Sequence, residues 1–119
     1  MPSATPLLYH NPRCSKSRAA LALLNERGIE PGIVAYLEQP PSIDELRALL
    51  ARLGLGAREL LRKGEAEYEE LGLDDPALGD EALIAAMHMH PRLIERPILV
   101  VGERAVIGRP PERVLELLD

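Results

Sequence analysis

The stretch YHNPRCSKSR, residues 9–18, contains the single cysteine of the chain, Cys14. A thiol attacks electrophiles as its thiolate, so the question is whether this position favours the anion. Asn11-Pro12 marks a turn, and the residues after Cys14 read as the start of a helix. A side chain at that junction faces the unpaired amide N–H groups of the first helical turn. Together with neighbouring cations, such groups lower a cysteine pKa from about 8.5 into the range of roughly 3.5–7.5. Arg13, Lys16 and Arg18 stand close in sequence, and His10 lies just ahead of the turn. The same amides and charges suit a tetrahedral oxyanion. The plainer alternative, a buried small hydrophobe, fits poorly between a proline and a Ser/Lys-rich helix start.

The elements that must position Cys14 can be read from patterning. Residues 7–10, LLYH, form a short apolar run closed by Asn11-Pro12, which predicts a buried strand and a turn. A helix beginning at Cys14 or Ser15 carries Ala20, Leu21, Leu23 and Leu24 as its apolar stripe, and Gly28-Ile29 has the form of a C-terminal cap with its hydrophobic contact. GIVAYL, 32–37, is the second strand expected. In QPPSIDELRALLARLG, Ser42 and Glu45 make a capping box and Gly54 a stop. Residues 57–90 read as short helices, with Asp80 expected to cap the last. RPILVV, 96–101, and RAVIG, 104–108, pair across Gly-Glu, and PPERVLELLD closes the chain as a helix with proline in its first turn.

The order predicts an α/β (α+β) chain of the thioredoxin-like kind: a four-stranded mixed sheet with a helical insertion, about 42–90, between a βαβ and a ββα half. At 119 residues a single domain, 1–119, is expected.

A net charge of −5 and 3% aromatic residues argue against a nucleic-acid partner, which needs a basic face and stacking surfaces. With 46% hydrophobic and 28% charged residues the composition is that of a globular protein. No run approaches the roughly 18 apolar residues of a membrane helix, and the first residues do not read as a secretory signal, so no membrane role and a cytoplasmic location are expected. The pair of histidines in HMHP, 88–91, has no cysteine or carboxylate at matching spacing, so no metal is expected. The acidic run GEAEYEELGLDD reads as a solvated helical face, or as what a basic partner docks on.

Redox enzymes of this fold commonly use Cys-x-x-Cys, whereas the spacing here is Cys14-Ser15-Lys16-Ser17. With no resolving thiol in the chain, a modified Cys14 must be recycled by an external thiol such as glutathione.

YHNPRCSKSR, YLEQPPSIDEL, LLRKGEAEYEELGL, HPRLIERPILV and GRPPE together resemble the glutaredoxin-dependent arsenate reductase family over residues 7–118. The resemblance implies a thioredoxin-like fold with a helical insertion, and a nucleophile at Cys14 that attacks arsenate. It implies that His10, in the HNP motif, helps to keep the cysteine ionised, and that Arg62, Arg96 and Arg109 hold the oxyanion. Guanidinium forks match such an anion, although any one exposed arginine is more often solvated surface. Arg96 and Arg109 each precede a proline, which restricts them to extended conformations. Pro12 and Pro97 are structural neighbours of the site, and Arg96-Pro97 is where this fold places a cis peptide. Ser15 and Ser17 are candidate substrate contacts; Ser17 and Arg18 either orient the thiolate or complete the first turn.

The resemblance further implies no tightly bound cofactor, glutathione as co-substrate, glutaredoxin as partner, arsenate or a similar oxyanion as substrate, and a monomer. The best-known arsenate-reducing members carry Gly-Thr directly after the cysteine, where this chain has Ser15-Lys16. Two alternatives follow: a glutathione-dependent thiol reductase without arsenate activity, and a non-catalytic protein-binding regulator, since superfamily relatives include adaptors of RNA polymerase.

Overall fold

The computed structural model describes residues 5–118, which divide into two compact units. One is formed by residues 5–39 with 96–118, the other by Pro40–Glu95. The expected helical insertion falls within the second.

In the first unit, β1 (Leu7–Tyr9) leads through a turn into α1 (Ser15–Glu26), followed by β2 (Gly32–Val34), β3 (Ile98–Val101) and β4 (Arg104–Ile107). The strands form one mixed sheet in the order β2-β1-β3-β4. β1 and β2 run parallel, with Leu8 opposite Ile33. β1 and β3 run antiparallel, with Leu8 opposite Leu99. Val101 and Arg104 close the β3-β4 hairpin across Gly102-Glu103, with Gly102 at a φ of 62°. Leu8, Ala20, Leu24, Leu99, Val106 and Val114 make a buried cluster on this sheet. α1 is held against it because Ala20 and Leu24, one helical turn apart, lie on the same face. Its end is a Schellman cap: Ile29 N–H reaches Leu24 O at 2.9 Å and Gly28 N–H reaches Asn25 O at 3.0 Å. Gly28 takes the left-handed conformation this requires, at φ 76°, and Ile29 packs on the cluster beside Leu24.

Two expectations for this unit need correction. The second strand stops at Val34 instead of running to residue 37, because Tyr36 N–H turns back to Val34 O at 2.9 Å and Glu38 and Gln39 N–H both bond Ala35 O. The closing segment Pro111–Leu117 is a 3-10 helix rather than an α-helix. Its tighter winding still brings Val114 into the core. The last residue of the predicted closing helix lies outside the described residues.

The second unit consists of α2 (Ile43–Leu53), α3 (Ala57–Leu60), α4 (Ala66–Glu70) and α5 (Asp80–Met89), with a 3-10 turn at Pro91–Leu93. The capping box on α2 is complete: Glu45 N–H bonds Ser42 Oγ at 3.0 Å and Ser42 N–H bonds Glu45 Oε1 at 2.8 Å. Leu46, Leu49 and Leu50 of α2 and Leu83, Ile84 and Met87 of α5 are buried. Asp80 does not cap α5. That position belongs to Gly79, and Asp80 is the first helical residue, where its charge suits the helix dipole. An isolated antiparallel bridge joins Leu61 to Ile94.

Candidate active site

Cys14 occupies the N-cap of α1 in an extended conformation, with φ −95° and ψ 123°. The turn before it is tied at several points. Cys14 N–H bonds Asn11 O at 3.0 Å, and Asn11 Oδ1 takes Arg13 N–H at 3.0 Å. The Arg18 guanidinium reaches back to Pro12 O at 2.8 Å, and Arg18 N–H bonds Cys14 O at 3.0 Å. The cysteine is therefore held from both sides, and it is partly exposed as a free thiol.

Its sulfur makes no cap hydrogen bond in the resting geometry. Its surroundings nevertheless favour the anion. Burial, the largest single influence, pushes the thiol pKa up, but the Ser17 amide, the Arg96 side chain, the Lys16 amide and the Arg96 charge outweigh it and bring the thiol below its ordinary value. Arg109 Nη2 stands 3.9 Å from Cys14 Sγ, while its Nε donates to Arg96 O at 2.8 Å. The loops carrying these two arginines are themselves joined by Gly108 N–H to Pro97 O at 2.8 Å. Both the Arg96-Pro97 and Arg109-Pro110 bonds are cis; only the first was expected from the sequence. Gly108 is required at the junction, because a Cβ there would stand 2.9 Å from Pro97 Cγ and 3.0 Å from Val114 Cγ1.

Of the predicted site residues, the structure brings Cys14, Arg96 and Arg109 together. His10 and Ser17 form a buried pair beside them, with Ser17 Oγ 2.7 Å from His10 Nδ1. Ser17 is wholly buried and its hydroxyl also meets Asn11 N–H at 3.0 Å, so it turns away from solvent and offers the cysteine its backbone amide. Ser15 is exposed in the first turn. Pro12 borders an open cavity of about 530 Å³ with His10, Arg13, Ile33 and Leu37. Burial, and next the charge of Arg18, lower the pKa of His10.

The basic residues next to Cys14 in sequence do not act as read. The charge at the thiol comes from Arg96, and Lys16 contributes through its amide. Asn11 is expected in the turn from the sequence, but the bond its side chain accepts from Arg13 N–H is not. Asn-Pro ahead of a helix is the signal that could have found it.

Arg62 belongs to the second unit. Its N–H bonds Leu93 O at 2.7 Å beside the Leu61-Ile94 bridge, which fixes its backbone. Its guanidinium pairs with Glu95 at 2.8 Å and Glu65 at 3.3 Å. The acidic run around it is not a solvated face throughout: side chains of Glu65 and Glu67 are only 16% and 19% exposed, and both pair with Arg92. His88, in the last turn of α5, donates from Nδ1 to Pro41 O at 2.9 Å, just ahead of α2. Among the described residues no group of three or more His, Cys, Asp or Glu side chains is placed to hold a metal ion, and no helix is long and apolar enough to cross a membrane.

The ArsC family model matches residues 9–117, a span that includes every residue of the site described above. The chain belongs to the ArsC family. It is similar to the protein YfgD of Escherichia coli K12, described as uncharacterized, at 56% identity over 93% of this chain and 94% of that one. It is also similar to an arsenate reductase of Neisseria meningitidis serogroup A, at 49% identity over 93% of this chain and 96% of the relative. An arsenate reductase structure from Vibrio cholerae superposes with a TM-score of 0.94 at 52% identity, covering 98% of this chain and all of that one. The thioredoxin-like architecture expected from the order of elements is thus the fold of this ArsC chain.

Proposed function

We propose that this ArsC chain is an arsenate reductase in which Cys14 is the nucleophile. The observation that supports it most is the convergence of Arg96 and Arg109 on a thiol at a helix start, in a chain whose relatives bear that activity in their names. An anionic thiolate attacking an anionic substrate must overcome charge repulsion, and guanidinium groups fixed by their own backbone offset it without reorganising. The thiolate displaces a hydroxyl from arsenic, which leaves as water, and forms a thiol-arsenate adduct. Glutathione then displaces a second hydroxyl from arsenic, which also leaves as water, and forms its own sulfur-arsenic bond. When a glutaredoxin thiolate takes the glutathione sulfur, the electron pair of that sulfur-arsenic bond stays on arsenic, which becomes arsenite; water frees it and Cys14 returns as thiolate. Glutaredoxin carries away the oxidising equivalents as its mixed disulfide with glutathione, so no tightly bound cofactor enters the cycle.

Arg62 enters this proposal only through the family motif. In the second unit its guanidinium is engaged by two carboxylates, so service to an anion requires exchanging one of them.

The test is arsenate-dependent NADPH oxidation with glutathione, glutaredoxin and glutathione reductase supplied, comparing wild type with Cys14→Ser. Turnover is expected in wild type and absent in the variant; an active variant would exclude Cys14 as nucleophile. A second reading has its own support. Ser15 and Lys16 are exposed directly after the cysteine, at the two positions where the best-known arsenate-reducing members carry Gly-Thr. A flat arsenate trace with rapid glutathionylation of Cys14 would make the chain a glutathione-dependent thiol reductase. A flat trace without glutathionylation would favour the non-catalytic regulator.

A further inference from the structure

Ser17 Oγ has two neighbours, Asn11 N–H at 3.0 Å and His10 Nδ1 at 2.7 Å. An amide N–H can only donate, so the serine oxygen accepts from Asn11. The hydroxyl also carries one hydrogen of its own. Ser17 is wholly buried, so that hydrogen either finds an acceptor in the protein or remains unsatisfied. Among the described residues the one acceptor bonded to Ser17 Oγ is His10 Nδ1. A hydrogen on Nδ1 would turn the ring into a second donor toward the same oxygen and leave the hydroxyl hydrogen stranded. The bonding is complete when Nδ1 is bare and the ring hydrogen sits on Nε2.

We propose that Ser17 is a positioning residue that holds His10 as the neutral Nε2–H tautomer, so that His10 serves this site as a hydrogen-bond donor and not as a positive charge. The inference does not depend on which substrate Cys14 attacks. It changes the role expected of the HNP histidine: ionisation of Cys14 draws on Arg96 and the helix amides, whereas an imidazolium would have to break the bond from Ser17. It also gives Ser17 two linked tasks, since its amide favours the thiolate while its hydroxyl fixes the ring. The charged and titratable groups around His10 are Arg18, whose cation opposes a second one on the ring, and Arg13 and Glu38, which share the cavity it lines; Cys14 is linked to it through Ser17. With Nδ1 engaged, Nε2–H is the group the ring has left to offer a ligand.

Long-range proton-nitrogen correlation spectra of the uniformly nitrogen-15-labelled protein read the tautomer directly, with His10 assigned by the signals missing in His10→Asn. At pH 7 the expected pattern is a bare Nδ1 and a protonated Nε2. It should persist to a lower pH than in an ordinary histidine, since burial and Arg18 both oppose a charge on the ring. A protonated Nδ1, a rapidly averaged pair or a doubly protonated ring at pH 7 would overturn the proposal. Ser17→Ala should release the ring to averaged tautomers and move its titration upward toward that of an ordinary histidine, and Ser17→Thr, which keeps the hydroxyl, should restore the wild-type pattern. If the tautomer stays fixed in Ser17→Ala, Ser17 is not the residue that holds it. Should Ser17→Ala fail to fold, the wild-type spectrum alone still decides. A failure of arsenate turnover would leave this result untouched, so the two proposals fail separately.

Discussion

Arg96 and Arg109 of the first unit are engaged differently from Arg47, Arg62 and Arg92 of the second. In the first, Arg109 directs donors to a backbone carbonyl and to the cysteine sulfur, and Arg96 lowers the thiol pKa. In the second, Arg47 pairs with Asp44 and Glu81, Arg62 with Glu65 and Glu95, and Arg92 with Glu65 and Glu67. A guanidinium held by a carboxylate is already neutralised and bonded, so recruiting it to a substrate anion means exchanging one charge-assisted bond for another. Arg109 already reaches the cysteine sulfur and Arg96 already favours its thiolate, so neither has to be recruited to the thiol. Motif matching treats Arg62, Arg96 and Arg109 alike; their bonding does not.

The sharpest way to break this contrast is to remove each arginine in turn. Loss of a fixed donor to a developing oxyanion typically lowers kcat about 100-fold. Arg96→Ala and Arg109→Ala are expected to fall by that order in arsenate turnover, and Arg62→Ala by roughly tenfold, since in it a carboxylate pair is lost along with any substrate contact. Equal losses in steady-state assays of all three would show that the carboxylates do not hold Arg62 back, and the contrast between the units would disappear.

A smaller effect is expected on the thiol itself. Cys14 has its pKa depressed against burial, by the Ser17 amide, Arg96 and the Lys16 amide. Alkylation rate against pH should therefore show a midpoint below the ordinary cysteine value of about 8.5. The sign follows from linkage: a depressed folded pKa contributes stability that is present above the unfolded value and is lost as pH falls through the folded one. Arg96→Ala should move the midpoint up, whereas Arg62→Ala should leave it in place if the second unit takes no part in thiol ionisation. A midpoint at or above the ordinary value in wild type would mean that burial wins at this site.

What could be read in advance divides along sequence separation. The Gly28-Ile29 cap, the Ser42-Glu45 box and the Gly102-Glu103 hairpin each depend on residues within a few positions of one another, and local chemistry declares them. Cys14 as a helix-start thiol belongs to the same group. The source of its charge does not: Arg96 and Arg109 reach it across most of the chain, and family motifs, not spacing, pointed to them. Local reading misassigned Lys16 because proximity in sequence says nothing of where a flexible ammonium goes, whereas its amide is fixed by the helix. The acidic run failed for a related reason. Glu65 and Glu67 look solvated until Arg92, more than twenty residues on, is seen to cover them.

The smallest effect expected tests whether the two units can be perturbed separately. Ser42 closes the capping box of α2 in the second unit, far in sequence from Cys14, and both reciprocal bonds are formed. Ser42→Ala removes the acceptor for Glu45 N–H and frees the Glu45 carboxylate, which should cost about 1 kcal/mol in stability by urea or thermal unfolding. Because the thiol's anion-favouring groups are Ser17, Arg96 and Lys16, all in the first unit, the alkylation midpoint of Cys14 should not move. A shift in that midpoint at unchanged fold would mean that the helical unit reaches the thiol energetically. The contrast drawn from arginine bonding would then describe one cooperative site instead of two kinds of surface.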